Sequence, residues 1–170
     1  PLIVGLKERS EGTVRALLGP ELMTDDGLLT QQGSSTFWDR STLYALRGIY
    51  NVGQADRATE LLHRYSQRRL LGDHVPYPIE AWPEGSQRII TEGLFGIRPT
   101  GLRSFDLTPS MPAAWESMSL RHIRAFGSDF DITVARVADG RLRITVARPG
   151  AKPKIYRAAP GATIRVKLTD

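Results

Sequence analysis

Two glutamates four positions apart, Glu80 and Glu84, stand in the run YPIEAWPEGSQR (residues 77–88) beside two aromatic rings, Tyr77 and Trp82, and a guanidinium, Arg88. Paired carboxylic groups can divide acid–base work: one gives a proton while the other takes one or attacks carbon. Aromatic faces can stack on the flat apolar face of a sugar ring, and Arg or Gln side chains can bond its hydroxyls. Pro78 and Pro83 rule out a regular helix through the run, so the two glutamates need not share a face. The plainer reading is a connecting loop, with Trp82 plugging the space between two parts of the fold and the glutamates bonding backbone amides. Both readings stay open on the residues alone.

TFWDR (residues 36–40) is a second candidate. Trp38 offers a ring, and Asp39 and Arg40 follow it at the start of a helical pattern. Asp39 can cap that helix, an arrangement that stabilises by about 1 kcal/mol, or it can line a ligand site together with Arg40. Glu92, just before Gly93 in ITEGLFG, is either a further carboxylate near Glu84 or the close of a helical turn. His74 has Asp73 beside it but no nucleophile at a fixed spacing, and it reads as a surface histidine.

Several classes of chemistry find no footing. There is no cysteine, and the three histidines are scattered. No glycine-rich phosphate loop occurs, and the Asp25-Asp26-Gly27 and Asp129-Phe130-Asp131 clusters lack the spacing of a calcium loop. No metal and no cofactor are therefore expected. No apolar run approaches the roughly 18 residues of a membrane span, so no membrane partner is expected. With 41% hydrophobic and 24% charged residues, the chain has the composition of a folded domain rather than a disordered tail.

The net charge of +5 is uneven, because residues 119–168 hold eleven Lys or Arg against three Asp. Such an excess can draw an acidic polymer, or it can simply solvate the outer face of a sheet. Tyr156 is the lone aromatic among residues 131–170. Stacking on bases is thus poorly supplied, and nucleic acid is disfavoured as a partner.

The elements that must position these side chains fall into two kinds. EGTVRALLG can form two helical turns, and MTDDGLLTQQGSS is loop-like. FWDRSTLYALRGIYNV then places Leu43, Leu46, Ile49 and Tyr50 at helical spacing, with Gly53 as its C-terminal cap. QADRATELLHRYSQRRLLG repeats the pattern with Ala55, Ala58, Leu61, Leu62 and Tyr65, up to Gly72. Together they make an αα-hairpin that needs further neighbours to bury its apolar faces. SQRIITEGLFGI can hold about two more turns. From Ile97 onward the period changes to two: Ile132, Val134 and Arg136 alternate with Asp131, Thr133 and Ala135, and Leu142, Ile144 and Val146 alternate with Arg141, Arg143 and Thr145. Asp139-Gly140 between these runs is a strong hairpin signal. The chain is thus expected to be α+β, with antiparallel sheets after the helices.

The order of helical hairpin, Pro/Trp/Glu-rich loop, TEGLFGIRPTGLRSFDLTPSMPAAWESMSLRHIRAFG and basic β run resembles the C-terminal end of six-hairpin glycoside hydrolases, bacterial α-L-rhamnosidase-like and related proteins. FWDRSTLYALRGIYNVG looks like one of their last helical hairpins. GIRPTG, with the F, L, P, P and W that follow, is similar to their entry into a C-terminal β-sandwich. The resemblance covers most of residues 30–170. It implies that residues 1–96 are the end of an (α/α)6 toroid and residues 97–170 a β-sandwich domain. It also implies hydrolysis of glycosidic bonds in oligo- or polysaccharides, with Glu80 and Glu84 as the catalytic pair and Trp38, Asp39, Arg40, Tyr77, Trp82 and Arg88 against the sugar.

One departure stands out: between Gly85 and Gly93 the chain offers only SQRIITE, where such toroids carry a longer inner helix. PLIVGLKERS reads as chain in mid-course. A piece of a toroid would expose apolar helix faces, and it calls for the missing N-terminal helical region or a partner chain. The rival expectation is a non-catalytic module whose basic β part binds an acidic polymer.

Overall fold

The computed structural model describes residues 2–4, 6–36, 38–70 and 87–168. The chain is α+β and divides into two compact units, Pro1–Leu94 and Phe95–Asp170.

The first unit is built around one helix. A 3-10 turn (Leu2–Val4) and α1 (Ser10–Leu17) lead to a small hairpin of β1 (Met23–Thr24) and β2 (Gly27–Leu28). Then come α2 (Asp39–Asn51), α3 (Ala55–Leu70) and a π-helical turn (Ile89–Leu94). On α2, Leu43, Leu46, Ile49 and Tyr50 are buried at the helical spacing seen in the sequence. Because α3, the π-helical turn, the 3-10 turn and β2 all pack on α2, burial extends to Thr42, Ala45 and Gly48.

Small residues permit these close approaches. A Cβ at Gly48 would lie 2.9 Å from the Leu2 Cβ, and one at Gly93 would lie 3.2 Å from the Tyr50 ring. Two hydrogen bonds fix the neighbours. The Leu28 N–H donates to Thr42 Oγ1 at 2.9 Å, and the Tyr50 and Thr59 hydroxyls meet at 2.8 Å. Helix α2 ends in a Schellman motif: Gly53 sits at φ +79°, its N–H donates to the Tyr50 carbonyl, and the Gln54 N–H donates to that of Ile49. Helix α3 then buries Ala55, Ala58, Leu61 and Tyr65. Full burial of a side chain such as Leu61 contributes about 1.5–3 kcal/mol.

The loop-like reading of MTDDGLLTQQGSS is corrected in part. Thr24 caps a two-residue turn, its hydroxyl donating to the Gly27 carbonyl at 2.8 Å and accepting from the Asp26 N–H, so β1 and β2 pair across Asp25-Asp26.

The second unit holds two antiparallel sheets. One has the order β3 (Ile97–Gly101), β4 (Ser104–Leu107), β9 (Ile164–Lys167). The other is a meander of β5 (Ser117–Ala125), β6 (Ser128–Arg136), β7 (Leu142–Ala147) and β8 (Lys154–Ala158). Alternation runs as the sequence implies: Phe130, Ile132 and Val134 on β6 and Leu142, Ile144 and Val146 on β7 are buried. The two sheets share a core where Phe105 of β4 stacks at 5.0 Å on Phe126 and at 5.5 Å on Phe130.

The β6–β7 connection runs through Asp139-Gly140. Gly140 stands at φ +80°, and Asp139 Oδ1 accepts from the Arg141 N–H at 2.9 Å. Strand β5 departs from simple alternation, because Leu120 pairs with Ile132 but the next pair is Ile123 with Phe130. The intervening Arg121-His122 forms a bulge in which His122 adopts φ +57°.

Candidate functional site

The charged and aromatic side chains of the first unit converge on one face of α2. Arg40, Tyr44 and Arg47 follow each other at i, i+4 and i+7 and so share that face. Arg40 and Tyr44 are exposed, and the side chain of Arg47 is nearly enclosed, 9% accessible. The Arg47 guanidinium lies 5.6 Å from the centroid of the Tyr44 ring, within cation–π range. Its Nη1 donates to Glu92 Oε2 at 3.0 Å, and Arg88 Nε donates to Glu92 Oε1 at 2.6 Å.

Glu92 bridges the two arginines from residues 89–94, which wind as a π-helical turn, a form often found at functional sites. Gly93 lets this turn lie directly on Tyr50 and the Arg47 backbone. With both oxygens engaged, the Glu92 carboxylate is placed to orient a partner rather than to deliver a proton. Among the described residues the Nε of Arg47 is buried without a hydrogen-bond partner, which makes the Glu92 bond the more important to this guanidinium.

Of the side chains expected to meet a ligand, Trp38 is the N-cap residue of α2 and is 49% exposed. Asp39 is the first helical residue and is buried. The capping expectation for Asp39 is corrected: Trp38 occupies the cap position and supplies no side-chain capping bond. Asp39, one position on, instead lies in the first turn, where a negative charge complements the helix dipole. Arg40 is exposed on the next position. Arg88 is bound to Glu92. Glu80, Glu84, Tyr77 and Trp82, together with His74, lie outside the described residues.

Tyr44 and Arg47 were not among the sequence candidates. Their signal was the 40/44/47 spacing, hidden because Tyr44 reads as one more apolar residue of an amphipathic helix.

Two titratable groups elsewhere serve the fold. Burial raises the Tyr50 phenol above its ordinary value, partly offset by its bond to Thr59. The hydrogen bond from Arg165 holds the Asp106 carboxyl below its ordinary value across the β4–β9 pair. Among the described residues, no three His, Asp or Glu side chains group as metal ligands would, and no helix is long and apolar enough to cross a membrane.

Fold and site together define an α+β protein with an aromatic–guanidinium–carboxylate cluster on its central helix. No protein-family model, no curated protein and no solved structure matches the chain.

Proposed function

We propose that the chain is the C-terminal portion of a six-hairpin glycoside hydrolase, with α2 and α3 as a hairpin of its (α/α)6 toroid and the two sheets as its β-sandwich. The observation that supports this most is the α2 cluster. An exposed ring, Tyr44, lies between the exposed Arg40 and a nearly enclosed guanidinium, Arg47, that a carboxylate fixes from behind. Such a surface suits a sugar: the ring takes the apolar face of the pyranose and the exposed Arg40 takes its hydroxyls. Trp38, half exposed at the start of the same helix, offers a further ring.

In this reading Glu80 and Glu84 carry out the bond cleavage. One protonates the glycosidic oxygen as it leaves, and the other activates water or attacks the anomeric carbon. Asp39, Arg40, Tyr77, Trp82 and Arg88 contact the sugar. The substrate is an oligo- or polysaccharide, and the upstream helical region or a partner chain completes the toroid.

The test uses the full-length protein on a panel of aryl glycosides and oligosaccharides. Glu80→Gln or Glu84→Gln abolishes turnover, while Tyr44→Ala raises KM about three- to tenfold with little change in kcat, the loss of one stacking contact. Wild-type turnover in both glutamine variants on every glycoside the protein cleaves, or no cleavage of any by the wild type, refutes the proposal.

A further inference from the structure

The four-stranded sheet carries a groove of about 680 Å³ on its outer face, lined chiefly by His122, Arg124, Asp129, Asp131, Ala147 and Pro149. Small-molecule sites commonly measure about 300–1,000 Å³. We propose that this groove is a second, non-catalytic carbohydrate subsite that takes a neutral pyranoside.

The β5 bulge makes the groove. In an unbroken register His122 would oppose Phe130 and enter the core. The extra residue lets Ile123 take that inward place opposite Phe130, and the imidazole is re-aimed into the groove. The arrangement holds His122 in the left-handed region, a conformation that persists only where its surroundings enforce it. Asp131 enforces it: its Oδ1 accepts the His122 N–H at 2.8 Å. Bulges of this kind recur beside binding sites, where they aim a side chain.

The groove's chemistry selects the ligand class. Arg124 stands against Asp129, with Asp131 in the same lining, while the Arg148 guanidinium donates to the Leu168 carbonyl, so the groove does not share the basic excess of the surrounding sheet. A polyanion gains little there. Arg124 Nε and Asp129 Oδ1 stand 3.9 Å apart, too far for a hydrogen bond, so both keep capacity for a ligand. Guanidinium donors and carboxylate acceptors side by side suit vicinal hydroxyls, and the Ala147–Pro149 strip offers an apolar floor. The assignment does not depend on the hydrolase reading, because none of its residues belongs to the helical unit.

Residue-resolved amide NMR of the chain, titrated with neutral methyl hexopyranosides and di- and trisaccharides, tests it. Shifts are expected at His122, Arg124, Asp129, Asp131 and Ala147, with affinity in the millimolar range. The double variant Arg124→Ala/Asp129→Ala weakens binding about three- to tenfold or more, as the loss of one or two hydrogen bonds dictates. His122→Gly gives a cleaner reading, because glycine accepts the left-handed backbone and keeps the bulge. It weakens binding without lowering the melting temperature. Tyr44→Ala leaves these shifts unchanged. Absence of shifts with every saccharide overturns the proposal, as does binding that survives the double variant. A salt-sensitive response of the same residues to heparin but not to neutral sugars overturns it too, and marks an acidic-polymer site instead.

Discussion

Replacing Glu92 separates the two ion pairs that meet on it. Arg47 is nearly enclosed and its Nε has no partner among the described residues, whereas Arg88 is more than half exposed and sits at i, i+4. Removing the carboxylate in Glu92→Ala leaves a buried guanidinium without its acceptor. An unsatisfied charged group of this kind costs up to about 3 kcal/mol. Glu92 is 35% exposed, so water takes up part of the loss and about 1.5–2.5 kcal/mol remains. Glu92→Gln keeps one oxygen acceptor and gives up only the charge assistance, about 1 kcal/mol. Arg88→Ala removes an exposed helical pair, below about 0.5 kcal/mol.

For a unit of this size each kcal/mol moves the melting temperature by about 4–8 °C. The helical far-UV signal of Glu92→Ala should therefore melt roughly 6–20 °C below wild type, and that of Arg88→Ala within about 4 °C of it. A cycle of Arg47→Met, Glu92→Met and the double variant checks the assignment. The double should recover most of the loss of the single Glu92 variant, because a well-packed apolar pair replaces a stranded charge. Equal, small shifts for Glu92→Ala and Arg88→Ala would show that the Arg47 bond contributes nothing, and the account of the cluster would fall with it.

Other changes have equally definite outcomes. In Gly96→Ala the new Cβ would sit 2.2 Å from the Thr108 carbonyl oxygen at a φ of +65°, so the entry to β3 must shift and stability falls by at least about 3 kcal/mol in denaturant titration. Phe126, at φ +56° in the β5–β6 turn, inverts the usual ranking. Both Phe126→Ala and Phe126→Gly lose the stack on Phe105, but glycine escapes the left-handed penalty and should be about 1 kcal/mol the more stable of the two. On the acid side, the lowered pKa of Asp106 means its contribution is complete above the ordinary carboxylate value and is lost as pH falls through the folded-state value. Asp106→Asn should flatten that acid limb of the stability curve. On the alkaline side, the raised pKa of Tyr50 makes the neutral phenol's contribution complete below its ordinary value near 10 and lost as pH rises through the folded-state value. Tyr50→Phe should remove that alkaline limb.

Hydrophobic period carried most of the fold into view. Leu43, Leu46, Ile49 and Tyr50 mark α2, Gly53 marks its end, and the alternation through residues 131–146 marks β6 and β7, because each of these features follows from local geometry alone. Three features were hidden, each for its own reason. The π-helical turn at Ile89–Leu94 uses residues that would equally well form an ordinary helical turn, and it packs on α2, which is remote in sequence. The β5 bulge depends on Asp131, which is distant in sequence from the strand residue it holds. The cap of α2 falls to Trp38, a residue with no capping oxygen, where Asp39 carried the composition signal. Of the site, Trp38, Asp39, Arg40, Arg88 and Glu92 were nameable from type and spacing. The pairing of Glu92 with Arg47 was not, because no local rule links positions 47 and 92.

The meander leaves β8 as an outermost ribbon, Lys154–Ala158, with Ile155 turned to solvent. An edge strand that carries an exposed isoleucine can template the addition of another polypeptide. Lys154, Arg157 and the flanking Pro153 and Pro160 oppose that, two by repulsion and two by interrupting the ladder. Two of the cations in the basic last third thus stand where charge opposes strand addition at this edge.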